Sequence, residues 1–143
     1  MFACAREQPL EALEVLNYGQ CAGLEPGLTL VDFSNLAALR GGAFVMPADS
    51  PEPTAPAAAA NTLLVALSRG PQPTPGFGFT LREVTARGTV ARIEATWRTP
   101  SPDAILAQVM THPCLVVGLP RGNLRRIEAF DQSGASLGTL ELP

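Results

Sequence analysis

The sequence is poor in charge and contains no lysine, one histidine and one tryptophan. Only 16% of its 143 residues are charged, and the formal net charge is −3. Proteins that bind nucleic acids or anionic membranes carry an excess of positive charge, so no nucleic acid partner is expected. No apolar run reaches the roughly 18 residues that a membrane-spanning helix requires, so contact with a membrane is expected only through a covalent anchor.

The groups that carry most catalytic chemistry are also scarce. His112 lies two residues before Cys114, and two residues along an extended chain place their side chains about 7 Å apart. A nucleophile and its base need about 3 Å, so this pair is not expected to act together. There is no second histidine, no zinc-type cysteine spacing and no paired-carboxylate motif. We therefore expect no catalytic residue, no metal site and no cofactor.

Apolar residues and turn formers, in contrast, are plentiful. The chain is 46% hydrophobic and contains 13 glycines and 14 prolines. A chain of this length buries roughly 70% of its unfolded surface, which is enough for one domain with its own core. We predict a flexible leader over residues 1–11 and a single β-rich domain over residues 12–143. Within that domain, four prolines followed by four alanines predict a surface loop over residues 47–60.

After residue 61 the pattern is typical of short strands. Residues 62–68 form a continuous apolar run, as in a strand that is buried on both faces. Residues 77–84 and 89–98 alternate apolar and polar side chains, and Arg87-Gly88 between them predicts a hairpin turn. The other strand candidates are residues 12–18 (or a turn of helix), 28–31, 115–119, 124–130 and 135–142. This spacing predicts an antiparallel β-sandwich or a partly open barrel.

One or two short helices are expected beside the strands. Ser34 could cap a brief helix that continues to Leu39. Residues 103–110 could form one or two helical turns with Ile105, Leu106 and Val109 pointing inward.

The three cysteines fall into two groups. Ala3-Cys4 resembles the end of a bacterial lipoprotein signal, in which a small residue precedes the cysteine that is lipidated, although Phe2 fits that pattern poorly. Cys4 is therefore a candidate lipidation site, or else an ordinary thiol in a frayed terminus. Cys21 and Cys114 then remain as an even pair, which an oxidising compartment would allow to form a disulfide. Two buried free thiols are the alternative.

Two proline-bearing loops, residues 70–78 and 108–114, are the candidate binding surface. Each lies at the end of an apolar strand, where loops are exposed on a rigid scaffold. Stiff loops lose little entropy on binding, but their prolines could equally serve only to protect a sheet edge. The binding-surface candidates are Gln72, Thr74, Phe77, Thr111 and His112. Trp97, in an alternating strand, is expected in the core.

These two loops and their strands resemble the PrcB C-terminal-domain family. Residues 64–79 show its apolar strand, glycine, short Pro-Thr turn, second glycine and aromatic residue. Residues 108–120 show its glutamine, Thr-x-Pro element, apolar strand and terminal proline. The resemblance covers about residues 61–131. Pro75 and Phe77 depart mildly from the family pattern, in which a smaller residue and a tyrosine are commoner.

The family is named for a lipid-anchored subunit that binds and stabilises a surface protease. The resemblance therefore implies a non-enzymatic protein of the bacterial periplasm or cell envelope, with a secreted or surface protease as the candidate partner. The leading interpretation is a protein-binding module. The alternatives are a small-ligand-binding β-domain, with a pocket between the two loops, and a hydrolase.

Overall fold

The computed structural model describes residues 7–21, 23–32 and 61–143, which form nine strands in two sheets. The strands are β1 (Gln8–Pro9), β2 (Leu13–Tyr18), β3 (Gly27–Val31), β4 (Thr62–Ser68), β5 (Gly78–Arg87), β6 (Val90–Arg98), β7 (Cys114–Pro120), β8 (Arg126–Phe130) and β9 (Ser136–Glu141). Sheet A has the order β1-β5-β6-β8-β9, and sheet B has the order β2-β7-β4-β3. The predicted β-sandwich is confirmed, and the sheets do not close into a barrel.

The main core lies between the two sheets. Sheet B contributes alternate residues of β4 and β7, including Val65 and Val117, and sheet A contributes Phe79 and Ile93. The remaining residues of β4 and β7, such as Leu64, form a second buried cluster on the other face of sheet B. The predicted burial of residues 62–68 on both faces is therefore confirmed.

One pair of strands departs from the predicted antiparallel arrangement. β6 and β8 are parallel, with Val90 opposite Arg126 and Glu94 opposite Phe130. The cause is the chain path, because β7 lies in sheet B and returns the chain to the end of the molecule at which β6 began. All other strand pairs are antiparallel among the residues that the structure describes.

The helix expected over residues 103–110 is also absent. The segment is irregular, and Ile105 and Val109 are 102% and 53% exposed instead of pointing inward. A helix of this length is only marginally stable in water unless an apolar face is buried, and these two side chains are exposed. The other expected helix, residues 34–39, lies outside the described residues.

The described part of the predicted leader is placed against sheet A. Gln8 and Pro9 pair with Ala86 and Thr85, and the Thr85 hydroxyl donates to the Glu7 carboxylate at 2.7 Å. Residues 1–6, with Cys4, and the proline- and alanine-rich segment 47–60 lie outside the described residues. The part of the chain that the structure describes contains no helix with the length and apolarity to cross a bilayer.

Candidate functional site

One end of the sandwich collects the loops that the sequence singled out. Ser68 at the end of β4 pairs with Cys114 at the start of β7, and Gly78 at the start of β5 pairs with Arg98 at the end of β6. The connections that leave these strands must therefore meet at the same end, which we call the loop end. It comprises residues 19–21, 23–26, 69–77, 99–113 and 131–135.

The two candidate binding loops contact each other directly. Gln72 and Thr111 exchange backbone hydrogen bonds in both directions, at 2.7 and 2.8 Å. The Thr111 hydroxyl also donates to the carbonyl oxygen of Thr74 at 3.0 Å. Because Thr111 is only 7% exposed, its side chain holds the loops together and is not part of the binding surface. Its assignment as a surface residue is wrong, because the hydroxyl is used inside the loop junction.

A third segment fixes His112 from the other side. The His112 amide donates to the Gly19 carbonyl at 2.9 Å, and the Cys21 amide donates to the His112 carbonyl at 2.8 Å. Cys21 and Cys114 form a buried disulfide with their Cα atoms 5.9 Å apart, so the pair that the sequence left over is joined. The backbone of His112 is thereby held, while its side chain remains half-buried.

Gly76 shapes the first loop where it meets the segment after β6. Its φ of +102° disfavours any residue with a side chain, and a Cβ at this position would lie 2.8 Å from the Cβ of Pro100. The close approach brings residues 70–78 against the start of the 99–113 connection. Gln72, Thr74 and Phe77 all belong to this loop, and each is half-buried.

Beside these loops lies a cluster that we call the aromatic–arginine patch, formed by Arg69, Phe77 and Trp97. The rings of Phe77 and Trp97 stack with their centroids 5.8 Å apart, and the Arg69 guanidinium lies 4.9 Å from the Trp97 ring centroid. Phe79 packs behind Trp97 at 4.7 Å and is fully buried. Trp97 therefore contacts the core through Phe79 but stays partly exposed, so the expectation of a core residue holds only for one side of its ring.

The side chain of Gln132 fixes the backbone of Trp97. Its amide oxygen accepts from the Trp97 N–H at 2.9 Å, and its amide nitrogen donates to the Trp97 carbonyl at 2.9 Å. Gln132 thus replaces the strand partner that β8 no longer provides at this point, since β8 ends at Phe130. Sequence reasoning missed this role; a glutamine in the turn directly after a strand is the signal that could have suggested it.

Asp131 stabilises the turn that carries Gln132. Its carboxylate accepts from the Ser133 hydroxyl at 2.6 Å and from the amides of Ser133 and Ala135 at 2.8 and 3.1 Å. These bonds, led by the one from the Ser133 hydroxyl, lower the pKa of Asp131, and the positive charge of Arg69 lowers it further. The turn is thereby linked electrostatically to the aromatic–arginine patch.

Residues 63–120 match the family model described as PrcB C-terminal. The resemblance expected from the two loop segments is confirmed over this range, which spans β4 to β7. A search of curated proteins and a search of solved structures found no significant match.

The matched segment includes both candidate loops and all three residues of the aromatic–arginine patch. Gln132 and Asp131, which hold the patch in place, lie outside the matched residues. The loop end is therefore built from the segment that matches the PrcB C-terminal family together with supporting residues before and after it.

Arg69 in the patch differs from the arginines that form ion pairs on the outer face of sheet A. Arg92 pairs with Glu94 at 3.3 Å, and Arg126 pairs with Glu141 at 3.0 Å. Within the described ranges, neither Arg69 nor Arg98 has a carboxylate within ion-pair distance. Arg98 instead donates to the Phe79 carbonyl at 3.3 Å. The patch therefore combines an aromatic surface with positive charge that is not neutralised by direct ion pairs.

Three shallow clefts in the described part of the chain have volumes of about 370, 280 and 510 Å³. The largest is lined by residues 121–125 and 141–143, at the end of the sandwich opposite the loop end. Neither the 70–78 loop nor the 108–114 loop lines any of the three. Among the described residues, no group of three or more histidine, cysteine, aspartate or glutamate side chains could hold a metal ion.

Proposed function

We propose that this chain is a non-catalytic protein-binding module of the bacterial cell envelope that acts in a protease-associated complex. The match of residues 63–120 to the PrcB C-terminal family supports association with a protease complex. The binding surface is the pair of joined loops at the loop end, with Gln72, Thr74, Phe77 and His112 as the contacting side chains.

The observation that carries this proposal is the hydrogen bonding between the loops. Gln72 is fixed entirely through its backbone, by the two bonds to Thr111. In the structure as described, no hydrogen bond engages the Gln72 amide group, so this side chain is available to a partner. A surface whose backbone is already fixed loses little conformational entropy on binding, which favours recognition of a protein.

The disulfide supports an extracytoplasmic location. Bonds such as Cys21–Cys114 form and persist in oxidising compartments and are rare in the reducing cytosol. We further propose that Cys4 is the lipid-anchored residue. Metabolic labelling with an alkyne-tagged fatty acid should label the full-length precursor, and label that persists in Cys4→Ala would exclude this anchor.

The test of the binding surface is partner capture from native membranes by tagged protein, quantified by mass spectrometry. Gln72→Ala/Thr74→Ala should lower the yield of the captured partner several-fold. Among the described residues the Thr74 hydroxyl bonds only to the adjacent Pro75 carbonyl, so the double variant should keep its thermal stability. Asn123→Ala, exposed at the opposite end, serves as the control. A folded double variant that captures as much partner as the Asn123→Ala control would contradict the proposal.

A further inference from the structure

We propose that residues 101–110 fold into a short helix on an apolar groove of the partner protein. This inference rests on the proposed protein-binding function and adds the chemistry of the partner surface. It assigns binding roles to residues of the 99–113 connection that the free domain leaves irregular and exposed.

The sequence of this segment carries the signals of a helix start. Ser101 is a favoured N-cap residue, Pro102 stands at the first helical position, and Asp103 follows in the first turn, where a negative charge is favourable. The structure already contains one turn here, because the Ala104 amide donates to the Ser101 carbonyl at 3.0 Å. Bonds between residues three apart are frequent at the ends of helices. The chain therefore makes a turn where a helix would begin, and regular structure stops there.

The apolar residues that follow would share one side of a helix. With 3.6 residues per turn, four large side chains would lie within an arc of about 140°, the kind of stripe that a helix buries. We call these four residues the apolar stripe: Ile105, Leu106, Val109 and Met110. The other side would carry smaller or polar residues, namely Ala104, Ala107 and Gln108. The segment therefore encodes an amphipathic helix of about two turns.

The described part of the domain does not cover this stripe. Ile105 is 102% exposed, and Val109 and Met110 are 53% and 59% exposed. Among the described residues, no member of the stripe packs against either core cluster, and the backbone groups of residues 105–109 form no hydrogen bond. A helix this short is unstable in water when its apolar side is exposed. The missing element is therefore a surface that covers the stripe.

The partner protein is the expected source of that surface, because the segment continues the proposed binding surface at both ends. Pro100, just before the segment, lies against Gly76 of the first loop. Thr111, just after it, bonds to Gln72 and Thr74 of the same loop. A partner that contacts Gln72 and Thr74 would therefore lie beside the segment as well.

The groove should be apolar and should carry little charge. Asp103 is the only charged residue between positions 99 and 110, and it lies at the start of the segment, outside the stripe. Apolar anchors spaced three and four residues apart, seated in an apolar groove, are a recurrent way for proteins to recognise a short helix. Here the anchors would be members of the stripe, and their burial would offset the cost of ordering the helix.

Ala107→Pro is the decisive variant, because it retains the whole stripe but places proline inside the helix. Proline at an interior position lowers the stability of a helix by a factor of about a hundred, whereas an extended segment tolerates it. Half-maximal capture of the partner from solubilised native membranes should then require at least about tenfold more tagged protein. Ala107→Gln, a good helix former at the same exposed site, should capture the partner normally. Both variants should keep the thermal midpoint of the free protein, in which residue 107 lies in the irregular segment.

Ile105→Ala/Val109→Ala tests the stripe itself. Burying each such side chain contributes about ten- to a hundredfold to an equilibrium constant, so the double variant should need at least about tenfold more protein for half-maximal capture. Leu13→Ala is the matched control, because Leu13 is 59% exposed on β2 and pairs with Gly118, toward the other end of β7. Its capture should equal that of the wild type.

Amide hydrogen exchange supplies a readout that does not depend on the yield of capture. Residues 105–110 should exchange rapidly in the free protein and become protected in the captured complex, since a helix would bond their amides. Protection that develops in the purified protein alone as its concentration rises would assign the stripe to a second copy of this chain and overturn the inference. Protection on vesicles of phosphatidylethanolamine and phosphatidylglycerol would assign it to a lipid surface, with the same consequence.

The inference is also overturned if either segment variant captures the partner as well as its control does, or if residues 105–110 exchange equally fast in the complex. Partner capture separates this failure from failure of the proposed function. Capture that depends on Gln72 and Thr74 but not on the stripe would retain the protein-binding surface and remove only the helix. Capture that depends on neither set would remove the proposed function as well.

Discussion

The two sheets of this sandwich use their strands in different ways. Sheet A buries one face and exposes the other, so β6 alternates buried residues such as Ala91 and Ile93 with Arg92 and Glu94 at the surface. Sheet B buries both faces of its two central strands, β4 and β7. The disulfide also involves the first residue of β7, Cys114. It therefore attaches the loop end to sheet B, in which substitutions of the central strands are expected to cost most stability. The difference indicates that substitutions in sheet B should destabilise the fold more than substitutions on the exposed face of sheet A.

Removing the disulfide should have the largest effect, because it joins sheet B to the segment after β2. The bridge spans 93 residues of sequence. Crosslinks that close loops of this length typically stabilise a fold by about 2–5 kcal/mol. Cys21→Ala/Cys114→Ala should lower the free energy of unfolding by that amount in urea denaturation. Wild-type protein in reductant should approach the same midpoint, and an unchanged midpoint in both would show that the bridge contributes nothing.

A cavity on the outer face of sheet B should come next. Leu64 is 4% exposed and belongs to the second buried cluster, so Leu64→Ala should cost about 2–4 kcal/mol of unfolding free energy. Thr80→Ala, at an exposed position of β5 in sheet A, should change it by less than about 0.5 kcal/mol. If the two substitutions lowered the free energy of unfolding equally, the proposed difference between the two sheets would be wrong.

Thr111→Val should have a smaller effect, confined to the loop end. The substitution keeps the side-chain shape but removes the hydroxyl that donates to the Thr74 carbonyl. Loss of one such bond typically costs about 1 kcal/mol. Amide hydrogen exchange of residues 70–76 should increase, whereas Thr139→Val on the exposed face of β9 should leave that exchange unchanged. Protection of the loop that stays at the wild-type level would show that the hydroxyl does not hold the junction.

The smallest effect is expected at the turn of sheet A that carries Asp131. Because the folded-state pKa lies below the ordinary 3.8, this carboxylate adds stability above pH 3.8 that is lost as the pH falls through the lowered pKa. Asp131→Asn should therefore be slightly less stable than wild type near neutral pH and should match it at strongly acidic pH. A carboxyl titration by nuclear magnetic resonance checks the direction, and an ordinary or raised pKa would contradict it.

The individual strands of sheet A were easier to predict from the sequence than those of sheet B. The order and direction of the strands in sheet A were harder to predict. Alternation of period two identifies β5 and β6 because one face of each meets water. Nothing in that alternation says that β8 will lie beside β6 in the parallel sense. That pairing depends on β7 leaving for the other sheet, which is a property of the whole chain path.

At the loop end, the positions of the loops could also be predicted from the sequence, but the contacts between them could not. Prolines and glycines identified the two loops, but the burial of Thr111 depends on a contact with Thr74 from a separate segment. Ile105 and Val109 are four residues apart, the spacing of a helical face, yet both side chains are exposed. The support of Trp97 by Gln132 joins residues 35 positions apart, a distance over which local sequence patterns carry no information.

The disulfide has one more consequence, which concerns a cut chain. A single break in the backbone anywhere between residues 22 and 113 would leave both fragments covalently tied through Cys21 and Cys114. The first fragment would retain β1 and β2, and the second would retain β7 to β9. A nicked molecule would migrate as two pieces on a gel only after reduction. For a protein proposed to work beside a protease, such a tie would let the damaged molecule keep its parts together.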